Sequence, residues 1–403
     1  MNYFFIFGNH PDISFVELTR KLQSEQYSFS LIQYVRNVGI FSLEKELPHS
    51  FIHSLGGTIK YGVCLEKQLD KSALSTGITE YLQTLLQEGV RLTFGLSIYT
   101  KRIPLHKLGI EIKKSLKEGG HSIRFVAPQR NEFILSSVAV QKNNLLDATN
   151  AELNIFELNG QLVVGKTVFV QAFEEYSYRD WQRPQKDMTT GLLPPKLAQI
   201  MINFTGLSPL TQPHIHDPFC GFGTIIQEAL CMGYSRVSGS DISPERVEDS
   251  KKNIEWLFNE GITPKRKVHI FKSPATNLID HISPATLDAI VAEPYLGPPN
   301  KQGRSPQNTM VHELSILYKK SFGVFHTLLK KNGIVVFLLP VWQTSSGPFF
   351  MPILQDIIRV GFSHQTIPPL YSSLLLSKTK RDTLVYMRAS QGVARELCVF
   401  VKR

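Results

Sequence analysis

Three short stretches of this sequence carry residue types that could do chemistry together. The first is "DPFCGFGT", Asp217 to Thr224, and the second is Asp241, which closes "VSGSD". The third is "DAIVAEPYLGPPN", residues 288–300, an apolar run that stops at Glu293, Pro294 and Tyr295. A glycine-rich turn between a strand and a helix lets a ligand approach backbone that side chains would otherwise block. An acid roughly 20 residues beyond such a turn is placed to accept hydrogen bonds from ribose hydroxyls. A carboxylate, a rigid carbonyl and an aromatic ring suit a planar amine. The acceptors take its N–H hydrogens and draw the lone pair out of conjugation, while the ring stacks on the base.

Charge chooses between cofactors. A dinucleotide site wants G-x-G-x-x-G, with backbone N–H groups facing a pyrophosphate. Here the pattern is G-x-G-T, and Asp217 precedes it. A carboxylate there repels pyrophosphate but suits a ligand with an ammonium and a sulfonium. S-adenosylmethionine is such a ligand, and a nicotinamide dinucleotide is the weakest option. The expected cofactor contacts are Asp217, Pro218, Cys220, Gly221, Gly223, Thr224, Asp241 and Ile242. The amine is expected at Glu293, Pro294 and Tyr295. Taken singly, each motif has a plainer reading as a tight turn or a strand-ending acid. Their order along the chain favours chemistry.

The elements that must position these residues alternate. "HIHDPFCGFG" reads as a strand and loop, "TIIQEALCMG" as a helix, and "RVSGSDIS" as a strand. "PERVEDSKKNIEWLF" is a helix with Ser243 as N-cap and Pro244 in its first turn. "KVHIFKS" and "LDAIVAEPY" are strands, "HELSILYKKSFGVFHTLLKK" a helix and "GIVVFLLPVW" a strand. Fully apolar strands alternating with helices predict a doubly wound, Rossmann-like parallel sheet. The tail, "DTLVYMR" and "RELCVFVKR", reads as an antiparallel hairpin. Upstream, strand and helix signals mix in an α+β pattern. There Leu105, Leu108, Ile112 and Leu116 recur at helical spacing, with lysines elsewhere on the cylinder. The segment "YSYRDWQRPQKDMTTGLLPP" is rich in turn residues and reads as a connector into a helix near Pro195. The expected organisation is an α+β region over 1–65, a second α+β domain over 66–175, a linker over 176–194, and the Rossmann-like domain over 195–403.

The chain has 403 residues, 42% hydrophobic and 19% charged, which fits two or three globular domains and excludes a disordered chain. Its formal net charge of +10 favours a polyanionic partner. Four scattered cysteines, with no C-x-x-C pair, indicate neither a zinc site nor a disulfide framework. They suit a reducing cytoplasm. The amino terminus lacks a basic leader and reads as a first strand. No apolar run approaches the roughly 20 residues that span a bilayer.

"DPFCGFGT", "GSD" and "EPYLG", in this order, resemble motifs I, II and IV of class I S-adenosylmethionine-dependent methyltransferases acting on amino groups. "YSYRDWQRP" through "LLPPKLAQIMIN", followed by "DPFCGFGTIIQEAL", looks like the THUMP-domain tRNA guanine-N2 methyltransferases. "RFVAP" and "LSSVAVQKNNLL" are similar to the THUMP segment, and the first strands to its ferredoxin-like companion. The resemblance implies transfer of a methyl group from S-adenosylmethionine to the N2 amine of a guanine in tRNA, without a metal. Other nucleic-acid amines, or an RNA-binding protein that has lost activity, stay open. So do the oligomeric state, a monomer being one possibility, and a small activating partner. Three departures stand out. The fourth motif is usually Asp/Asn-Pro-Pro-Tyr, whereas here it is Ala292-Glu293-Pro294-Tyr295. Phe222 stands where a small residue is usual. The segment after strand three lacks the acid that often meets the adenine amine, leaving Ser273 or Asn277 to substitute. A THUMP-like domain implies shape and phosphate contacts to tRNA. The candidate contacts are Lys113, Lys114, Lys117, Arg124, Arg179, Arg183 and Lys186, with Lys107 and Arg130 beside them.

Overall fold

The computed structural model describes residues 1–100, 103–186, 192–298, 305–388 and 392–403. In chain order the elements are β1 (Asn2–Phe7), α1 (Pro11–Ser24), β2 (Phe29–Val35), β3 (Val38–Leu43), β4 (Thr58–Leu69), α2 (Leu74–Gln83), β5 (Leu92–Ile98), α3 (Leu105–Glu118), β6 (Ile123–Val126), α4 (Ser137–Lys142), β7 (Ala151–Leu158) and β8 (Gln161–Val170). Then follow α5 (Phe173–Trp181), α6 (Pro195–Phe204), β9 (His214–Asp217), α7 (Thr224–Cys231), β10 (Arg236–Asp241), α8 (Pro244–Asn259), β11 (His269–Lys272), β12 (Leu287–Ala292), α9 (Asn308–Leu328), β13 (Leu329–Thr344), β14 (Gly347–Phe350), α10 (Leu354–Val360), β15 (Phe362–His364), β16 (Leu384–Tyr386) and β17 (Val393–Lys402).

The chain forms two compact units. The first holds one eight-stranded sheet in the order β2-β3-β1-β4-β8-β7-β5-β6. Its pairings are antiparallel except where β5 meets β6 and β7. β4 runs without a break through residues 65 and 66, so a single sheet serves both regions expected on either side of that point. The buried face of α3 is Leu105, Leu108, Ile112 and Leu116, the stripe that its spacing predicts. On the same sheet Lys60 Nζ lies 2.5 Å from Glu152 Oε1, and both side chains are fully buried. Ser97 and Thr167 hydroxyls donate to the same carboxylate at 2.6 Å, satisfying a charge that would otherwise be costly.

The second unit comprises residues 12–26, 54–57 and 173–403. Its nine-stranded sheet follows the path β11-β10-β9-β12-β13-β17-β15, with β14 beside β13 and β16 beside β17. From β11 to β13 every pairing is parallel, and β17 joins antiparallel to β13, β15 and β16. The expected doubly wound sheet is present, and the tail strands pair antiparallel. The chain leaves β9 toward β10 and β11, then returns to the other side for β12. The crevice at the carboxyl ends of β9 and β12 is therefore a topological switch point, where such sheets take their ligands. Leu314, Tyr318, Phe322 and Phe325, recurring every three or four residues on α9, are buried on this sheet. The Phe322 ring lies 5.2 Å from Phe337 on β13 and 5.1 Å from Phe400 on β17.

Residues 12–26 belong to this second unit although they lie between strands of the first. Glu17 on α1 explains the attachment. Its carboxylate accepts from the Gly56 and Gly57 N–H groups and from Asn203 Nδ2, each at 2.8 Å. Arg20 donates to the Phe204 carbonyl at 2.8 Å and to the Gln365 carbonyl at 2.6 Å. The segment expected as a linker holds most of α5, with Tyr176 and Arg179 buried. Residues 187–191 of that segment, and residues 299–300 at the end of the opening stretch, lie outside the described residues. Among the described residues no helix is long and apolar enough to cross a membrane.

Candidate active site

The glycine loop joins β9 to α7. The Cys220 N–H donates to the Ser240 carbonyl at 2.9 Å, and the Gly223 N–H donates to the Cys220 carbonyl at 2.7 Å. Gly223 sits at φ 80°, and a Cβ there would stand 2.4 Å from Ser250 Oγ on α8. Only glycine meets both the backbone and the packing demand. Gly221 is also left-handed, at φ 50°, but the nearest atom to a Cβ there is the Phe219 carbonyl oxygen at 3.9 Å. The two glycines thus differ: Gly223 seats the loop on the protein, while Gly221 faces open space. Pro218 and Thr224 are buried. Cys220, 4% exposed, serves the loop through its backbone.

Phe222, an unusual residue for such a loop, has its own support. The Arg246 guanidinium lies 4.3 Å over its ring. Its carbonyl accepts from Asn253 Nδ2 at 2.9 Å. Asn253 also exchanges hydrogen bonds with the Gln185 backbone, accepting from N–H and donating to C=O, both at 2.9 Å. Sequence reasoning missed Asn253, because nothing local marks a helix asparagine as a loop anchor.

Asp241 ends β10 two residues beyond Gly239, which is paired with Asp217 across the β9–β10 register. Its two carboxylate oxygens accept from the Gly221 N–H at 3.0 Å and the Ser243 N–H at 2.9 Å. A carboxylate has about four lone-pair sites, so acceptor capacity remains for a ribose. Ser243 caps α8, its hydroxyl accepting from the Arg246 N–H at 3.3 Å, as its sequence position predicts. Ile242, next in line, is 68% exposed and presents an apolar face beside the acid. Ser273 is buried and its hydroxyl is turned into its own loop, toward the Pro274 and Asn277 carbonyls. Asn277 is exposed, and its amide donates to Asp280 at 2.8 Å. Asp241→Ala removes the loop's hold on Gly221 and the carboxylate expected to accept from a ribose. We expect cofactor affinity to fall roughly 30-fold or more by calorimetry, a loss of about 2 kcal/mol or more.

Asp217 is 2% exposed and accepts one hydrogen bond, from the Phe219 N–H at 3.0 Å. Burial holds its carboxyl well above the usual range, and the negative charges of Asp241 and Glu293 push the same way. Asp217 therefore feels two other carboxylates beside the glycine loop. Such a cluster is unfavourable by itself and favourable around a cation.

Glu293 follows the last residue of β12. Arg395 on β17 donates through Nε to its Oε1. The two side chains are 16% and 7% exposed. Ala292 is fully buried, Pro294 is buried, and Tyr295 is 59% exposed. Tyr318 on α9 donates its hydroxyl to the Tyr295 carbonyl at 2.6 Å and fixes the turn from below. Neither Arg395 nor Tyr318 is among the sequence-predicted residues. A single cation in the apolar strand "LCVFV" and its approach was the available signal for Arg395.

The predicted RNA contacts divide. Lys114, Lys117, Arg124 and Lys186 are exposed and Lys113 is half-buried; Lys107 and Arg130 are exposed as well. Arg179 and Arg183 are corrected by the structure. Arg179 is buried and donates to both oxygens of Glu228, at 2.8 and 3.1 Å. Arg183 is 1% exposed and donates to Thr224 Oγ1 at 2.7 Å. Both support the glycine loop and the helix behind it, and neither is a surface cation. Among the described residues no group of three or more His, Cys, Asp or Glu could hold a metal ion.

Residues 181–341, less than half of the chain, match the UPF0020 family model, described as RMKL-like, methyltransferase domain. No curated protein matches the sequence. TrmN from Thermus thermophilus is similar in structure at TM-score 0.55 and 15% identity, over 100% of this chain and 100% of that one. A possible methylase from Clostridium difficile 630 gives TM-score 0.47 and 13% identity, over 99% of this chain and 98% of that one. The likeness to TrmN is one of fold. S-adenosylmethionine, expected from the loop and its acids, is the cofactor of the matched methyltransferase domain.

Proposed function

We propose that this chain transfers a methyl group from S-adenosylmethionine to the exocyclic N2 amine of a guanine in tRNA. The observation that carries the reading is the set of three carboxylates, Asp217, Asp241 and Glu293, around a glycine loop at a sheet's switch point. Asp217 faces the cationic amino-acid end, Gly221 leaves room for it, and Asp241 with Ile242 holds the nucleoside. The bound cofactor supplies an electrophilic methyl group on a sulfonium. Glu293 and the Pro294 carbonyl accept the N–H hydrogens of the incoming amine, which frees its lone pair. Tyr295, which is exposed, stacks on the base. The proton lost from nitrogen leaves along the Glu293 hydrogen bond toward solvent.

Residues 66–175, most of them in the first unit, are read as a THUMP-like domain gripping tRNA by phosphate and shape. Lys107, Lys113, Lys114 and Lys117 share helix α3, and Arg124 lies on β6. With a formal charge of +10 the chain suits such a polyanion. The four cysteines are free, in keeping with a cytoplasmic setting. The test is transfer of labelled methyl from S-adenosylmethionine to unmodified bulk tRNA, followed by nucleoside mass spectrometry. N2-methylguanosine is the expected product. A different methylated base overturns the guanine assignment. Intact tRNA binding with no transfer overturns the catalytic one.

A further inference from the structure

The fourth motif of this chain puts a carboxylate, Glu293, beside the reacting amine. Arg395, on a different strand of the sheet, pairs with that carboxylate. We infer that Glu293, held by Arg395, restricts the site to guanine by demanding a second N–H beside the amine. The inference rests on the proposed methyl transfer and adds the source of base selectivity.

An ionised carboxylate only accepts hydrogen bonds, whereas an amide both donates and accepts. The exocyclic amines of nucleic acids differ in the ring atom next to them. In guanine, the N2 amine adjoins N1–H, a donor. In adenine, N6 adjoins the N1 lone pair, and in cytosine N4 adjoins the N3 lone pair. A carboxylate can therefore accept from N1–H and N2–H of guanine together. Against adenine or cytosine it sets an oxygen against a lone pair. The structure supplies the condition that makes this selective. Arg395 Nε donates to Glu293 Oε1, and a charge-assisted bond of this kind fixes the acceptor's orientation. Arg395 is itself positioned by the sheet, opposite Pro340 on β13 and Tyr386 on β16. Asp217 and Tyr318 face the same carboxylate from β9 and α9. Arg395 is thus a positioning residue, and Glu293 reads the base.

The test compares guanine with 2-aminopurine, which keeps the N2 amine but has a lone pair at N1. RNA carrying either base at the position methylated in bulk tRNA is assayed for kcat/KM. The wild type should prefer guanine by roughly 5- to 150-fold, the range that one paired hydrogen-bonding edge commands. Glu293→Gln can accept from N2–H while donating to the N1 lone pair, so its preference should move toward 2-aminopurine by about 10-fold or more. Arg395→Lys should keep the wild-type preference. Arg395→Leu should lower kcat and weaken the preference for guanine, because the carboxylate loses the partner that orients it. A guanine-methylating wild type that does not distinguish the two bases overturns this inference alone. So does a Glu293→Gln enzyme with an unchanged ratio. A wild type that methylates adenine or cytosine overturns the guanine reading and this inference together.

Discussion

Asp217→Asn should make the protein more heat-stable and a far poorer binder of S-adenosylmethionine. Both effects come from one buried carboxyl. Burial raises its affinity for a proton in the folded state, and Asp241 and Glu293 add to the rise. The unfolded chain has no such bias. A carboxyl whose folded pKa exceeds its unfolded one favours folding most at low pH. That advantage is lost as pH rises from the unfolded value through the folded one. At neutral pH the native aspartate is thus a liability, and the isosteric amide removes it. The amide oxygen introduced by Asp217→Asn can still accept from the Phe219 N–H, so the turn is kept. The thermal midpoint should rise by about 2–4 °C for each kcal/mol of relieved desolvation.

Cofactor binding should move the other way. A cation beside Asp217 stabilises its ionised form, so binding expels a proton and affinity rises with pH. Removing one member of a desolvated charge pair costs about 2–5 kcal/mol, which is roughly 30-fold or more in affinity. Calorimetry in two buffers of different ionisation enthalpy reads both consequences. The wild type should release a proton on binding, whereas Asp217→Asn should bind weakly with no proton release and little pH dependence. Unchanged affinity would show that the cation lies elsewhere.

The elements that make this site were legible because their signals are local. A capping serine followed by proline, glycines at a strand-to-helix turn, and an acid at a strand end each act within a few residues. The α3 stripe was legible for the same reason, since periodicity is a property of the segment itself. Partners distant in sequence were not legible. Arg179 and Arg183 sit in a segment whose composition suggests a solvated connector. Their burial depends on Glu228 and Thr224, 49 and 41 residues away. Arg395 meets Glu293 across 102 residues because β17 inserts beside β13, a pairing that no local pattern announces. The attachment of α1 through Glu17 to Asn203 spans 186 residues. In each case the missing information is which strand or helix lies next door, and that is settled by the packing of whole elements.

Glu293→Ala should lower methyl transfer by about 1,000-fold while leaving cofactor affinity within a few-fold. In the proposed reaction the carboxylate is the acceptor that orients the amine, and Pro294 can offer only its backbone carbonyl in its place. The substitution has a second consequence that must be separated from the first. It removes one ion-pair partner of Arg395, which is 6% exposed, and breaking a buried pair from one side costs about 3–5 kcal/mol. A loss of activity from Glu293→Ala alone could therefore reflect a disturbed β17. The double variant Glu293→Ala, Arg395→Leu removes both charges and should recover most of the lost stability in a thermal melt. If Glu293 acts on the amine, the double variant stays inactive although it is stable and binds the cofactor. If the pair serves only to pin β17 to the end of β12, activity returns with stability. Recovered turnover in the stable double variant would remove Glu293 from the chemistry and leave Pro294 and Tyr295 as the amine's only contacts from this turn.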